Sequence, residues 1–70
     1  MKHWLDYLTA AQDAMDAAER AEDAIDRLHC MGLAARAIYR ARQAVRDRYV
    51  LLEDVERVDR RWWELNALGY

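Results

Sequence analysis

The sequence has no proline, one cysteine and only two glycines, and each of these scarcities excludes a class of structure. Turn signals are nearly absent, because Gly32 is the only glycine well inside the chain, so almost all of the chain is predicted to be helical. The lone Cys30 excludes an internal disulfide. No segment approaches the roughly 20 consecutive apolar residues that a membrane-spanning helix needs, so no membrane association is expected.

The start of the chain has no apolar leader, since Asp6 stands where a signal peptide needs its apolar core. Together with the lone thiol, this start predicts a reducing, cytoplasmic location. Residues 1–70 are expected to make one small domain, and a chain this short buries only about 60% of its unfolded surface. Small domains usually need a disulfide, a metal or oligomerisation, and self-association is what we expect here.

Gly32 marks the predicted turn, because glycine adopts at no side-chain cost the left-handed conformation that ends many helices. With Gly32 just past the helix end, Leu33 can pack back on Leu28, as a Schellman cap prefers. Thr9 and Gln12 match a capping box, so the first helix has an alternative start at Thr9. We predict an all-α antiparallel helical hairpin with a helix over about 4–30, a turn at 31–33 and a second helix over about 34–68.

Apolar residues recur every seven positions along both predicted helices and give each helix an amphipathic face. In the second helix, three adjacent apolar columns form a face too wide for one neighbouring helix, and a single hairpin offers only one. We therefore predict a homodimer in which two hairpins form a four-helix bundle. The residues predicted to form the core or the dimer interface are Trp4, Leu8, Met15, Ile25, Leu28, Ile38, Val45, Leu52, Val55 and Trp62.

Charge is distributed unevenly along the chain. Residues 1–31 carry seven acidic side chains against three cations, whereas residues 36–48 carry five arginines against Asp47. A hairpin folded at Gly32 places the two stretches side by side, so we expect intramolecular ion pairs of about 0.2 to 1 kcal/mol each that fix the register. The alternative is that the arginines bind the phosphates of a nucleic acid.

Candidates for catalysis or metal binding are few. His29 and Cys30 are neighbours, but adjacent helical side chains point about 100° apart, and His3 lies at the far end of the first helix. The Glu-x-x-His motif of di-iron bundles, a glycine-rich phosphate loop and a Ser/His/Asp set are all absent from the sequence. We predict a non-enzymatic protein with no catalytic residues, no metal and no cofactor.

Aromatic and arginine side chains gather on the second predicted helix. Tyr39 lies in an otherwise polar column, and Trp63 lies at the edge of the apolar face beside Trp62. Tyrosine, tryptophan and arginine dominate the binding energy of protein interfaces. The alternative is that both tryptophans belong to the dimer core and that Tyr39 is a solitary surface aromatic. The residues predicted to bind a partner are Arg36, Tyr39, Arg40, Arg46 and Trp63.

In its length, its hairpin at Gly32 and its second helix of arginine, tyrosine and tryptophan, the chain resembles small two-helix phage anti-activators. Those proteins are dimers that bind bacterial transcription regulators. The resemblance implies a phage or mobile-element product that binds itself and a host protein, and inhibits or modulates that protein by covering a functional surface. In overall layout the chain is also similar to Rop-like dimeric hairpins, which implies RNA or DNA binding through the arginine-rich helix. A structural assembly protein is a further alternative.

Overall fold

Three α-helices make up the fold. The computed structural model describes residues 5–47 and 50–70, and within them the helices are α1 (Leu5–Arg20), α2 (Ala24–Arg46) and α3 (Leu52–Ala67). No strand occurs in this described part, so the all-α prediction is confirmed. A short turn joins α1 to α2 as a helical hairpin, and α3 packs mainly on α2 and also touches α1.

The turn predicted at 31–33 is wrong, because α2 continues through Gly32. Gly32 is exposed, and a Cβ added there would meet nothing within 4 Å. A glycine inside a helix costs only about 1 kcal/mol relative to alanine. The buried residues Met31, Ala34 and Ile38 keep one helical face across Gly32, so packing along that face outweighs the cost. The predicted pair of helices over 4–30 and 34–68 is therefore replaced by three helices with other bounds.

Side chains, not glycine, form the turn between α1 and α2. Asp23 is the N-cap of α2, and its Oδ1 accepts a hydrogen bond from the backbone N–H of Ile25 at 3.1 Å. The guanidinium of Arg27 donates to the carbonyl oxygens of Ala21 at 3.0 Å and Glu22 at 3.2 Å. These bonds satisfy backbone groups that the end of one helix and the start of the next leave without partners.

The connection between α2 and α3 also contains no glycine or proline. Val50 is buried and attaches this connection to the core. The backbone N–H of Asp54 donates to the carbonyl oxygen of Leu51 at 3.1 Å in the first turn of α3. Glu53 lies in the same turn, where a carboxylate interacts favourably with the helix dipole.

The C-terminus of α3 carries the Schellman cap that the sequence predicted at Gly32. Gly69 has a φ of 98°, and its N–H donates to the carbonyl oxygen of Asn66 at 3.1 Å. The N–H of Tyr70 donates to the carbonyl oxygen of Leu65, also at 3.1 Å. Leu65 is buried and Tyr70 packs against the core, which supplies the hydrophobic contact that usually accompanies this motif.

The core is small and rich in alanine. Six of the fourteen buried side chains in the described part of the chain are alanine, and the largest of these fourteen that are fully buried are Met15 and Val55. Alanine lets the backbones of α1 and α2 approach closely but contributes little apolar area. The buried residues are Leu8, Ala11, Met15, Ala18, Met31, Ala34, Ala37, Ile38, Ala41, Ala44, Val50, Val55, Val58 and Leu65.

The residues predicted for the core or dimer interface fall into four groups. Leu8, Met15, Ile38 and Val55 are buried, Val45 and Trp62 are partly buried against the core, and Trp4 lies outside the described residues. Ile25, Leu28 and Leu52 are exposed, so they are not core within one chain. A place for them in a dimer interface stays a prediction. The alternative helix start at Thr9 is wrong, because α1 begins at Leu5 and continues through Thr9.

Candidate functional site

Two polar contacts hold α3 against α2. The indole N–H of Trp62 donates to the carbonyl oxygen of Met31 at 2.9 Å. The guanidinium of Arg42 pairs with the carboxylate of Asp59 at 2.8 Å. Because Met31 and Arg42 lie three turns apart on α2, the two contacts fix the position of α3 along α2 as well as its rotation.

A groove opens on the surface between these two helices, with a volume of about 220 Å³. Ile38 and Trp62 belong to its apolar lining, and the exposed rings of Tyr39 and Trp63 come to it from different helices. We call it the α2–α3 groove. Its remaining lining residues are Ala35, Arg42 and Asp59.

A second hollow of about 360 Å³ adjoins the α2–α3 groove. The two share Tyr39 and Arg42, so they lie side by side along α2, and we call the pair of hollows the depression. Towards the start of α3 this depression is lined by Leu52, and on α2 by Arg46. Gln43 and Val45 complete the lining.

The two adjacent tryptophans have different roles. Their rings meet edge to face, with centroids 4.9 Å apart and an interplanar angle of 85°. Trp62 is anchored by its bond to Met31 and packs on the core, whereas Trp63 is 59% exposed. The anchored ring therefore supports the exposed one, and the surface that Trp63 offers is partly organised before any partner arrives.

Three of the five predicted partner-binding residues come together in this depression. Tyr39 and Trp63 line the α2–α3 groove, and Arg46 lines the adjoining hollow. Arg36 and Arg40 are exposed on α2 but line neither. Sequence reasoning missed Arg42, Asp59 and Leu52 as lining residues, because their proximity depends on the break between α2 and α3.

Among the side chains that the structure describes, no acidic residue of α1 pairs with the arginine run, which corrects the predicted pairing. Asp16 and Glu19 instead accept hydrogen bonds from Arg61 of α3, each at 2.5 Å. The bonds to Asp16 and Glu19 raise the pKa of Arg61 above its usual value. These contacts join α1 to α3 across the fold.

Three of the four arginines of the run that the structure describes have no ion pair within the described residues. Arg42 pairs with Asp59, and Arg48 lies outside the described residues. Arg36, Arg40 and Arg46 form no ion pair with any residue that the structure describes. Intramolecular pairing therefore does not account for these three cations.

His29 and Cys30 lie in the middle of α2, where His29 is exposed and Cys30 is partly buried against the core. Among residues 5–47 and 50–70, no group of three or more His, Cys, Asp or Glu side chains is arranged to hold a metal ion. None of the described helices combines the length and the apolar character needed to cross a membrane. The chemistry that the depression offers is apolar contact, ring stacking and hydrogen bonding from guanidinium groups.

Comparison of the chain with protein-family models, with curated proteins and with solved structures finds no match. The argument for a function therefore depends on the geometry of the α2–α3 groove.

Proposed function

We propose that this chain is a small non-enzymatic protein that binds another protein through the α2–α3 groove. The observation that carries the proposal is that Tyr39 and Trp63, which are 63% and 59% exposed and come from different helices, line the same groove. Single exposed aromatics are ordinary on protein surfaces. Two of them in one apolar groove, with Arg46 beside it, match the composition of interface hot spots.

The chemistry of the groove indicates the kind of partner surface that fits. Its apolar lining suits the apolar side of a helix or loop, and its length along α2 suits helix-in-groove binding. The unpaired guanidinium groups of Arg36, Arg40 and Arg46 favour a partner with acidic residues beside that apolar side. Burial of the aromatic rings would supply most of the affinity, and the charges would supply orientation and rate of association.

Inhibition or modulation of a host transcription regulator is the biological role that we propose for this binding, with the chain as a phage or mobile-element product. The three-helix fold removes the two-helix part of the resemblance to phage anti-activators. The arginine, tyrosine and tryptophan surface that carried the rest of it remains, now divided between α2 and α3. Binding would act by occlusion, covering a surface that the regulator needs for DNA binding or assembly.

Homodimerisation is part of the proposal, because the core of one chain is small and large apolar side chains remain exposed. Each subunit contributes three helices, so the dimer differs from a four-helix bundle of two-helix hairpins. The alternative is a structural assembly protein, whose function would be self-association into a larger structure without a different partner.

Nucleic-acid binding is the second candidate function, and the free charges of Arg36, Arg40 and Arg46 favour it. A protein that neutralises phosphates loses affinity with rising salt, by close to one unit of log slope per phosphate contact. The net charge of −2 opposes a strong attraction to a polyanion.

Affinity capture from a bacterial lysate tests the groove. The tagged wild-type chain is compared with Trp63→Ala and with Leu68→Ala, a control that removes an even more exposed apolar side chain from the end of α3. We expect specific protein to be retained by the wild type and the control after nuclease treatment. Trp63→Ala should reduce its affinity about 30-fold, since truncation of a hot-spot residue costs about 2 kcal/mol or more.

Two outcomes would contradict the groove proposal. One is equal capture by Trp63→Ala and the wild type, which would place binding elsewhere. The other is retention that disappears with nuclease or moderate salt, which would favour the nucleic-acid function of the arginines.

A further inference from the structure

The lining of the depression differs in charge from the chain as a whole. The sequence carries a net charge of −2. Two arginines, Arg42 and Arg46, line the two hollows, and Asp59 alone does so among the acidic residues that the structure describes. Arg36 and Arg40 are also exposed on α2 but line neither hollow. The depression therefore carries net positive charge on a chain that is acidic overall.

Arg42 and Arg46 lie on one face of α2. They are four residues apart, so their side chains leave the helix one turn apart, with Cβ atoms about 5–6 Å from each other. Both line the adjoining hollow, together with the aliphatic side chains of Val45 and Leu52. Two guanidinium groups at this spacing can donate hydrogen bonds to one carboxylate from two sides.

The ion pair with Asp59 prepares Arg42 for this role. Asp59 accepts a hydrogen bond from Nη2 of Arg42 at 2.8 Å. A guanidinium has five N–H donors, so this bond leaves other donors for a second acceptor. It also holds the side chain in position before a partner arrives, which lowers the entropy cost of binding. Arg46 has no ion pair within the described residues, so no carboxylate there offsets its charge.

We propose that the partner is an acidic amphipathic helix, and that one of its Asp or Glu side chains binds between Arg42 and Arg46. A bulky apolar side chain one turn away on that helix enters the α2–α3 groove. This inference rests on the proposed function and names the partner's chemistry at that site. Tyr39, Arg42 and Arg46 follow one another at spacings of three and four residues, so a helix lying along α2 meets aromatic and then basic surface.

The lining favours a carboxylate on a protein over the phosphates of a nucleic acid. Ile38, Val45 and Leu52 make much of the lining aliphatic, which suits an apolar side chain rather than a sugar–phosphate backbone. A polyanion would also bring successive phosphates towards Asp59, which would repel them. A single carboxylate in the adjoining hollow meets two guanidinium groups instead.

Selection from a displayed peptide library tests the motif. The library presents helical peptides with one randomised face, and it is selected on the full-length wild type, on Arg46→Gln and on Trp63→Ala. We expect the wild type to enrich peptides with Asp or Glu three or four residues from Leu, Phe or Trp. Arg46→Gln should weaken the acidic preference and keep the apolar one, whereas Trp63→Ala should lose most of the enrichment.

Titration of one enriched peptide then measures the contact. The peptide and a counterpart with glutamine in place of its acidic residue are titrated against the wild type and Arg46→Gln by fluorescence anisotropy. On the wild type, loss of the acid should raise the dissociation constant about tenfold. On Arg46→Gln the difference between the two peptides should fall to about threefold or less, because Arg42 alone then holds the carboxylate.

Arg60→Gln is the matched control. Arg60 is exposed on α3, has no ion pair within the described residues and lines neither hollow. The tenfold difference between the two peptides should remain in this variant. Circular dichroism should show the same helicity in all the variants as in the wild type.

The outcomes separate this inference from the proposed function. Peptides that depend on Trp63 but show no acidic preference would overturn the carboxylate site and leave the groove in place, as would a tenfold difference that persists on Arg46→Gln. Absence of any peptide that depends on Trp63 would overturn both. An oligonucleotide that binds more tightly than the peptide, and that Arg40→Gln and Arg46→Gln weaken equally, would assign the arginines to nucleic acid instead.

Discussion

Gly32 and Gly69 occupy opposite backbone conformations, so the same substitution should have opposite effects at the two sites. Gly32 lies in the middle of α2 with room for a methyl group, and Gly32→Ala should stabilise the fold by about 0.5 to 1 kcal/mol. Gly69 has a positive φ, which alanine adopts only at a cost, so Gly69→Ala should destabilise the fold by about 1 kcal/mol. Urea unfolding of each variant beside the wild type, at one protein concentration, measures both effects.

The sign at Gly32 also tests where the chain turns. If a hairpin folded there, Gly32 would need the left-handed conformation and alanine would destabilise the protein. Asp23 provides the turn instead, and its side chain caps α2 with Asp26 in the same first turn. That pair is visible in the sequence, but an aspartate pair is also typical of a solvated helix face. Gly32 was the more conspicuous signal and the wrong one.

Arg61 connects α3 to α1, two helices that otherwise have few contacts with each other. Arg61→Met keeps the aliphatic stem but removes the bonds to Asp16 and Glu19. We expect a loss of about 1 kcal/mol and faster hydrogen exchange in α3 than in α1. Arg57→Met is the control, because Arg57 pairs only with Asp54 of its own helix and should change stability by about 0.5 kcal/mol or less. Equal effects of the two variants would contradict an anchoring role for Arg61.

The contribution of Arg61 to stability should not depend on pH near neutrality. A group whose pKa is raised in the folded state contributes stability that is fully present below its unfolded pKa and is lost as pH rises through the folded one. The pKa of Arg61 is raised from a value that is already strongly alkaline, so its contribution is constant through the neutral range. Added salt should weaken this contribution, because the side chains of Arg61, Asp16 and Glu19 are partly exposed.

Periodicity predicted the helical class and the inner faces of α1 and α3, because both helices keep one regular seam. Leu8 and Met15 are buried on α1, as are Val55 and Val58 on α3. The break before α3 was not predictable, because Leu51 and Leu52 continue the apolar pattern. The α2–α3 groove was only partly predictable, because it forms only where α3 folds back on α2 after this break. Residue type singled out the exposed aromatics, but the contact between Arg42 and Asp59 exists only once the chain has broken and folded back.

At the scale of the whole molecule, the ratio of core to surface argues for association. The wide apolar face expected of one long helix is divided between α2 and α3, and most of it is buried within one chain, whereas Leu51 and Leu52 are exposed. A chain of this size with an alanine-rich core gains little from folding alone, so covering its exposed apolar side chains in a dimer would supply much of its stability. Folding and dimerisation should then be coupled, and the melting temperature should depend on protein concentration.

Thermal unfolding over a hundredfold range of concentration measures that coupling. Mass action across this range contributes about 2.7 kcal/mol per dimer, which in a domain of this size raises the melting temperature by roughly 5 °C or more. A wild-type melting temperature that stays constant would mean that the alanine-rich core is sufficient for one chain. In that case the exposed apolar side chains would be free to contact a different protein.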